Sequence, residues 1–165
     1  MNVKGKRVLT IDFAVVAQAL ACLLIPAVAQ ALGYEVPNAP KVSVKLPASA
    51  KAGQTVSGTV LVTIAGGLHA YQNPPSQDYM IPLSVSVTGA KLKAAKYPAG
   101  KAENMVGEKA PVRVYEGTVR IPVSIVLPKK HGKQQIAFKV HYQECNDKAC
   151  FPPGDVTAKA AINVR

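Results

Sequence analysis

The stretch Val56-Ser57-Gly58-Thr59-Val60-Leu61-Val62-Thr63-Ile64 decides the fold. Apolar side chains at 56, 60, 62 and 64 recur at period two, with Ser57, Thr59 and Thr63 between them. Such alternation puts one row of side chains on a buried face and the other in solvent, which a strand does and an α-helix does not. Valine, isoleucine and threonine dominate the run, and their branched side chains suit a pleated, half-buried surface.

The same pattern continues on both sides. Val42, Val44 and Leu46 alternate with Ser43 and Lys45, and Leu83, Val85 and Val87 form another short run. Further strands are expected over residues 90–97, 112–115, 118–127, 134–142 and 156–164, each bounded by Gly, Pro or Asn. Roughly eight or nine short strands with no convincing amphipathic helix predict an all-β, immunoglobulin-like sandwich. Its expected extent is residues 41–165, one domain, after a proline-rich lead-in over 32–40. Two segments are too long for tight turns. Residues 71–82 (YQNPPSQDYMIP) and 98–111 (PAGKAENMVGEKAP) are expected as loops, the places where a rigid sandwich carries function.

The first 31 residues do not fit this pattern. Lys4, Lys6 and Arg7 precede an uncharged run over 13–29, which closes on Ala29-Gln30-Ala31. This is the order of a secretory signal peptide, with cleavage expected after Ala31. The competing reading is an uncleaved anchor over 13–31, since the run approaches the roughly 20 residues that span a bilayer; Gln18, Pro26 and Gln30 interrupt it. Lipidation at Cys22 fits less well, because the apolar run continues through Leu23, Leu24 and Ile25. Losing Lys4, Lys6, Arg7 and Asp12 with the signal lowers the net charge from +11 to +9. Charge of that sign suits an acidic partner or a membrane surface, but the lysines are spread singly along the strands, as on a solvated surface. No recognition motif or stacking aromatic cluster accompanies them, so nucleic acid is not an expected partner.

The exported part keeps two cysteines, Cys145 and Cys150, within His141-Tyr142-Gln143-Glu144-Cys145-Asn146-Asp147-Lys148-Ala149-Cys150-Phe151-Pro152-Pro153. Asn146 and Asp147 favour a turn that sets the cysteines face to face across a hairpin end, and an exporting compartment favours the disulfide. Three roles compete. As a staple, so small a loop restrains the unfolded chain by about 2 kcal/mol, and a domain of this length does not need it to bury a core. As half a zinc site the pair lacks partners, since His69, His131 and His141 stand at no ligand spacing; no metal or cofactor is expected. As an exchange pair, either thiol can resolve a mixed disulfide formed by the other. Glu144 and Asp147 disfavour a thiolate and Lys148 favours one. Period-two counting puts His141 on the face of Cys145, as a proton acceptor or as an ordinary solvent-facing histidine.

These residues resemble the N-terminal periplasmic domain family of the thiol:disulfide interchange protein DsbD. The resemblance covers about residues 67–156. It rests on Gly67-Leu68-His69-Ala70-Tyr71, Asp78-Tyr79-Met80-Ile81-Pro82, Val114-Tyr115-Glu116-Gly117 with Ile121-Pro122-Val123, and above all Tyr142-Gln143-Glu144-Cys145 with Cys150-Phe151-Pro152-Pro153. It implies an immunoglobulin-like domain that takes electrons from a membrane-embedded donor and passes them to thioredoxin-like periplasmic proteins. Cys150 would then exchange with the partner and Cys145 would resolve. The family's mobile cap loop falls at about residues 104–109, with Asn104, Met105 and Val106 where a phenylalanine is usual, and Tyr71, Tyr142 and Phe151 surround the pair. With no membrane or thioredoxin-like domain before Arg165, the donor is expected on another chain. The alternative is a non-catalytic sandwich that binds a partner in metal handling or cytochrome c maturation, its disulfide structural.

Overall fold

A computed structural model describes residues 39–105 and 107–165; the expected signal segment, most of the lead-in and Val106 lie outside the described residues. All regular structure in them is strand: β1 (Lys41–Lys45), β2 (Ser49–Ala50), β3 (Thr55–Thr63), β4 (His69–Tyr71), β5 (Ser84–Thr88), β6 (Lys91–Ala95), β7 (Lys101–Glu103), β8 (Val112–Tyr115), β9 (Thr118–Val126), β10 (Gly132–Tyr142), β11 (Glu144–Cys145) and β12 (Gly154–Val164). No described helix is long and apolar enough to cross a membrane.

Three four-stranded sheets result, ordered β1-β3-β9-β6, β2-β12-β10-β5 and β11-β4-β8-β7. The first two form an immunoglobulin-like β-sandwich. Val60, Val62, Ile121 and Ile125 from one sheet and Val85, Ile136, Phe138, Val140 and Ile162 from the other belong to a single buried cluster. Each such side chain contributes about 1.5–3 kcal/mol by leaving water. The alternation at 56–64 is realised as expected: Val56, Val60 and Val62 are buried while Thr55, Ser57 and Thr63 are exposed. The lysines also find a structural place. Lys41, Lys45 and Lys91 lie exposed on β1 and β6, the two edges of the first sheet, where charge discourages pairing with another chain.

The third sheet carries a smaller apolar cluster of Met80, Val112 and Val114, on which Tyr71 and Met105 pack. It was only partly visible in the sequence. Residues 98–111, expected as one loop, contain β7, which pairs with β8 through Lys101↔Val114, Ala102↔Arg113 and Glu103↔Val112. Those three residues show no apolar alternation because β7 is an edge strand held by its backbone. Gly100 lets the chain come this close to β8: a Cβ there would stand 2.6 Å from the Val114 carbonyl oxygen. Gln72 Oε1 accepts from the Gly100 amide at 2.9 Å, and Arg113 Nη1 donates to the Gly100 carbonyl at 2.9 Å. The loop after β4 is tied down as well, with Asn73 Nδ2 donating to the Leu83 carbonyl and the Arg113 amide donating to Ser76 Oγ.

Candidate functional site

The cysteines lie at the end of the third sheet. Cys145 ends β11, and its Cα partner across the ladder is His69 of β4. On its other side it bridges to Cys150, with the two Cα atoms 3.9 Å apart and the sulfurs joined in a disulfide. The turn expected between them is present and its cause is Asn146. Its side-chain oxygen accepts from the Lys148 and Ala149 amides at 2.9 and 2.8 Å, and its own amide donates to the Ala149 carbonyl at 2.9 Å. An asparagine turn of this kind satisfies the backbone without a longer loop.

The two sulfurs are not equivalent. Cys145 is 1 % exposed, whereas Cys150 is open to solvent. A cavity of about 490 Å³ over the pair is lined by His69, Tyr71, Asn104, Met105, both cysteines and the intervening turn. The Tyr71 hydroxyl stands 3.6 Å from Cys150 Sγ and 3.8 Å from Cys145 Sγ. Because disulfide sulfur carries no proton, the hydroxyl is the donor to both. Burial, and then the charge of Glu108, pushes the Tyr71 pKa up, so the phenol keeps that proton. Met105 lines the cavity and packs on the small apolar cluster. Behind it, Glu108 accepts a hydrogen bond from the hydroxyl of Tyr79, a side chain 70 % exposed, which links the 104–109 segment to the loop after β4.

The structure thus brings Asn104, Met105 and Tyr71 to the pair, while Tyr142 and Phe151 support it from elsewhere. Tyr142 is buried, with its hydroxyl against Gly154. The Phe151 amide donates to the Glu144 carbonyl at 2.8 Å, and its carbonyl accepts from Gln143 Nε2 at 3.1 Å, closing the hairpin beyond Cys150. His141 does not line the cavity. Its Nδ1 lies 2.9 Å from Asp155 Oδ1 across the β10–β12 ladder. Period-two counting carried it past Tyr142 into β11 as though one strand continued, but β10 and β11 belong to different sheets.

Two residues went unassigned in the sequence. His69, 8 % exposed, lines the cavity, and burial lowers its pKa against the opposing charges of Glu116, Asp147 and Glu103. Only its separation by two from Tyr71, which places both on one face of β4, hinted at this. Their rings meet edge to face at 6.2 Å. Glu144 is 1 % exposed, and burial pushes its pKa to about 7, a backbone hydrogen bond from Ala65 partly opposing the shift. Its Oε1 has no partner. No pattern distinguishes this carboxylate from an exposed one before β11 is placed.

The family model described as "Thiol:disulfide interchange protein DsbD, N-terminal" matches residues 38–161. The chain belongs to the DsbD N-terminal domain family. Several solved structures are similar to it. The N-terminal domain of DsbD from Neisseria meningitidis in its reduced form shares 19 % identity, with 82 % of this chain and 93 % of that one covered and a TM-score of 0.48. The N-terminal periplasmic domain of ScsB from Proteus mirabilis shares 15 %, with 72 % and 45 % covered and a TM-score of 0.52. The complex between the DsbD N-terminal and PilB N-terminal domains from Neisseria meningitidis shares 18 %, with 78 % and 85 % covered and a TM-score of 0.47. At such identities the likeness to ScsB concerns the fold alone. No curated protein matches the chain in sequence. Membership in the DsbD N-terminal family, together with the Cys145–Cys150 disulfide, supports a role in thiol–disulfide interchange.

Proposed function

We propose that this domain is an electron relay working in the periplasm through Cys145 and Cys150. It takes electrons from a membrane-embedded donor and gives them to thioredoxin-like proteins, after export by residues 1–31 and cleavage behind Ala31. The observation that carries the reading is the inequality of the cysteines, Cys150 exposed at the cavity and Cys145 buried.

In the reducing half of the cycle a donor thiolate attacks Cys150 Sγ along the open side. The Cys145–Cys150 bond breaks, its electron pair stays on Cys145, and a mixed disulfide joins Cys150 to the donor. A second donor thiolate then frees Cys150, leaving the domain as a dithiol. In the oxidising half, Cys150 attacks the acceptor's disulfide and Cys145 resolves the product by attacking Cys150 Sγ. Tyr71 favours each step in which negative charge grows on either sulfur, because its hydroxyl reaches both. A partner of protein size seated over the pair also meets Asn104 and Met105, which line the cavity.

Trapping tests this. The Cys145→Ser variant should accumulate mixed disulfides through Cys150 with thioredoxin-like proteins in periplasmic extract, and Cys150→Ser should accumulate none. A reduction potential below about −300 mV would instead mark a structural bond and sink the relay.

A further inference from the structure

Exchange by this pair requires Cys145 to gain and lose a proton in a place nearly closed to water. We propose that His69 is the proton acceptor for Cys145, taking the thiol proton when Cys145 resolves a mixed disulfide held on Cys150. The inference rests on the exchange reading and adds a residue to it.

The ladder carries the argument. Cys145 has two cross-strand neighbours, His69 on one side and Cys150 on the other. Residues directly opposed in an antiparallel pair share a face, with Cβ atoms about 4.5–5.5 Å apart. His69 therefore flanks the sulfur that Cys150 does not cover, and all three residues line one cavity. His69 also lines a second cavity with Gly66, Gly67, Glu116 and Asp147. The imidazole thus borders the disulfide on one side and a separate cleft carrying two carboxylates on the other, where a proton can be passed to water.

Other groups near Cys145 serve less well. Tyr71 holds its own proton, as its burial and Glu108 dictate. Glu144 is the preceding residue in the strand, so its carboxyl points to the opposite face. Lys148 is exposed in the turn and is not one of the ladder neighbours of Cys145. The groups that act on His69 are Tyr71 on its own strand, Cys145 and Asp147 from the hairpin, Glu116 from the turn after β8 and Glu103 from β7. Burial outweighs the three carboxylates and keeps the imidazole neutral and ready to accept.

The step balances within the chain. Cys145 loses its proton to the neutral imidazole, the new thiolate attacks Cys150 Sγ, the bond from Cys150 to the partner breaks, and the partner leaves as a thiolate. The imidazolium then releases its proton through the carboxylate-lined cleft.

The test follows the two thiolate releases when the reduced full chain reacts with the aromatic disulfide DTNB, using C22S so that the pair supplies the only thiols. The first release reports attack by Cys150, the second resolution by Cys145. H69Q should leave the first unchanged, slow the second roughly 10²-fold near neutral pH, and move its pH profile up towards that of an unassisted thiol. A second release in H69Q with the wild-type rate and profile overturns the proposal while exchange stands. Should H69Q not fold, the wild-type profile decides: a plateau above the histidine range supports the inference, and a rise continuing through the thiol range, near 8.5, refutes it. If the wild type releases only one thiolate, the exchange reading itself fails and this inference with it.

Discussion

Glu144 makes the sharpest prediction about stability. Its carboxyl is buried beside the redox pair with Oε1 unpartnered, and its pKa rises from 4.5 to about 7 on folding, chiefly through burial. The folded state therefore holds a proton that the unfolded chain has already released. Below 4.5 both states are protonated and Glu144 costs nothing; as pH rises towards 7 the unfolded state is favoured, and above that the loss is complete. At about 1.4 kcal/mol per unit, the interval from 4.5 to about 7 amounts to about 3 kcal/mol. E144Q keeps the shape and removes the charge. Urea denaturation followed by circular dichroism should find the variant up to about 3 kcal/mol more stable than wild type at about pH 8, the advantage shrinking towards about pH 4. His69 pulls the other way: its lowered pKa gives stability that is present above its ordinary 6.5 and lost as pH falls. The difference between the two proteins removes that contribution, since both contain His69. Parallel stability curves across the whole range would refute the reasoning and mean that the carboxylate is hydrated or paired in solution.

Three further substitutions test the construction of the site. G100A places a methyl group against the Val114 carbonyl, and thermal melts should show a loss of about 1–3 kcal/mol as β7 and the segment after it are pushed from β8. Y71F removes the hydroxyl within reach of both sulfurs; reduction of the disulfide by dithiothreitol should slow roughly two- to fivefold, the worth of about 1 kcal/mol of hydrogen bonding. M105A removes a side chain lining the cavity from its seat on Met80, Val112 and Val114, so the same reduction should quicken while stability falls by about 1 kcal/mol, below the roughly 2–5 kcal/mol of a fully buried site because Met105 is only partly buried.

What the sequence revealed follows from what forces its pattern. Strands facing the main core must alternate, so β3, β9, β10 and β12 were legible to within a residue or two from Val, Ile and Thr spacing alone, and β8 alternates likewise over the smaller cluster. Strands β4, β7 and β11 have two or three residues each, too few for a period to show, and with β8 they build the sheet that carries the site. The turn at Asn146 was legible because its cause is local, a side chain bonding amides two and three residues on. The pairing of His69 with Cys145 was not, because its cause is a ladder between segments far apart in sequence. His141 shows the converse error: near in sequence, it is held by Asp155 in a different sheet.

The large sandwich fixes β3, β9 and β10 through a shared core, whereas the site hangs on short strands whose stability comes from a few polar ties and a small apolar cluster. Local opening has the lowest free energy where buried apolar contacts are fewest. Opening confined to the segment bearing Asn104 and Met105 would therefore leave the main core intact. Such uncovering would expose the cavity side of the pair, and Cys150, already open to solvent, would still meet a partner first. Cys145 sits between His69 and Cys150 in the ladder, so the buried sulfur is held by backbone pairing on both sides. The proposed two-step exchange calls for an entry sulfur that a partner can reach and a resolving sulfur held close to it, since the second attack must outrun loss of the partner to a competing thiol.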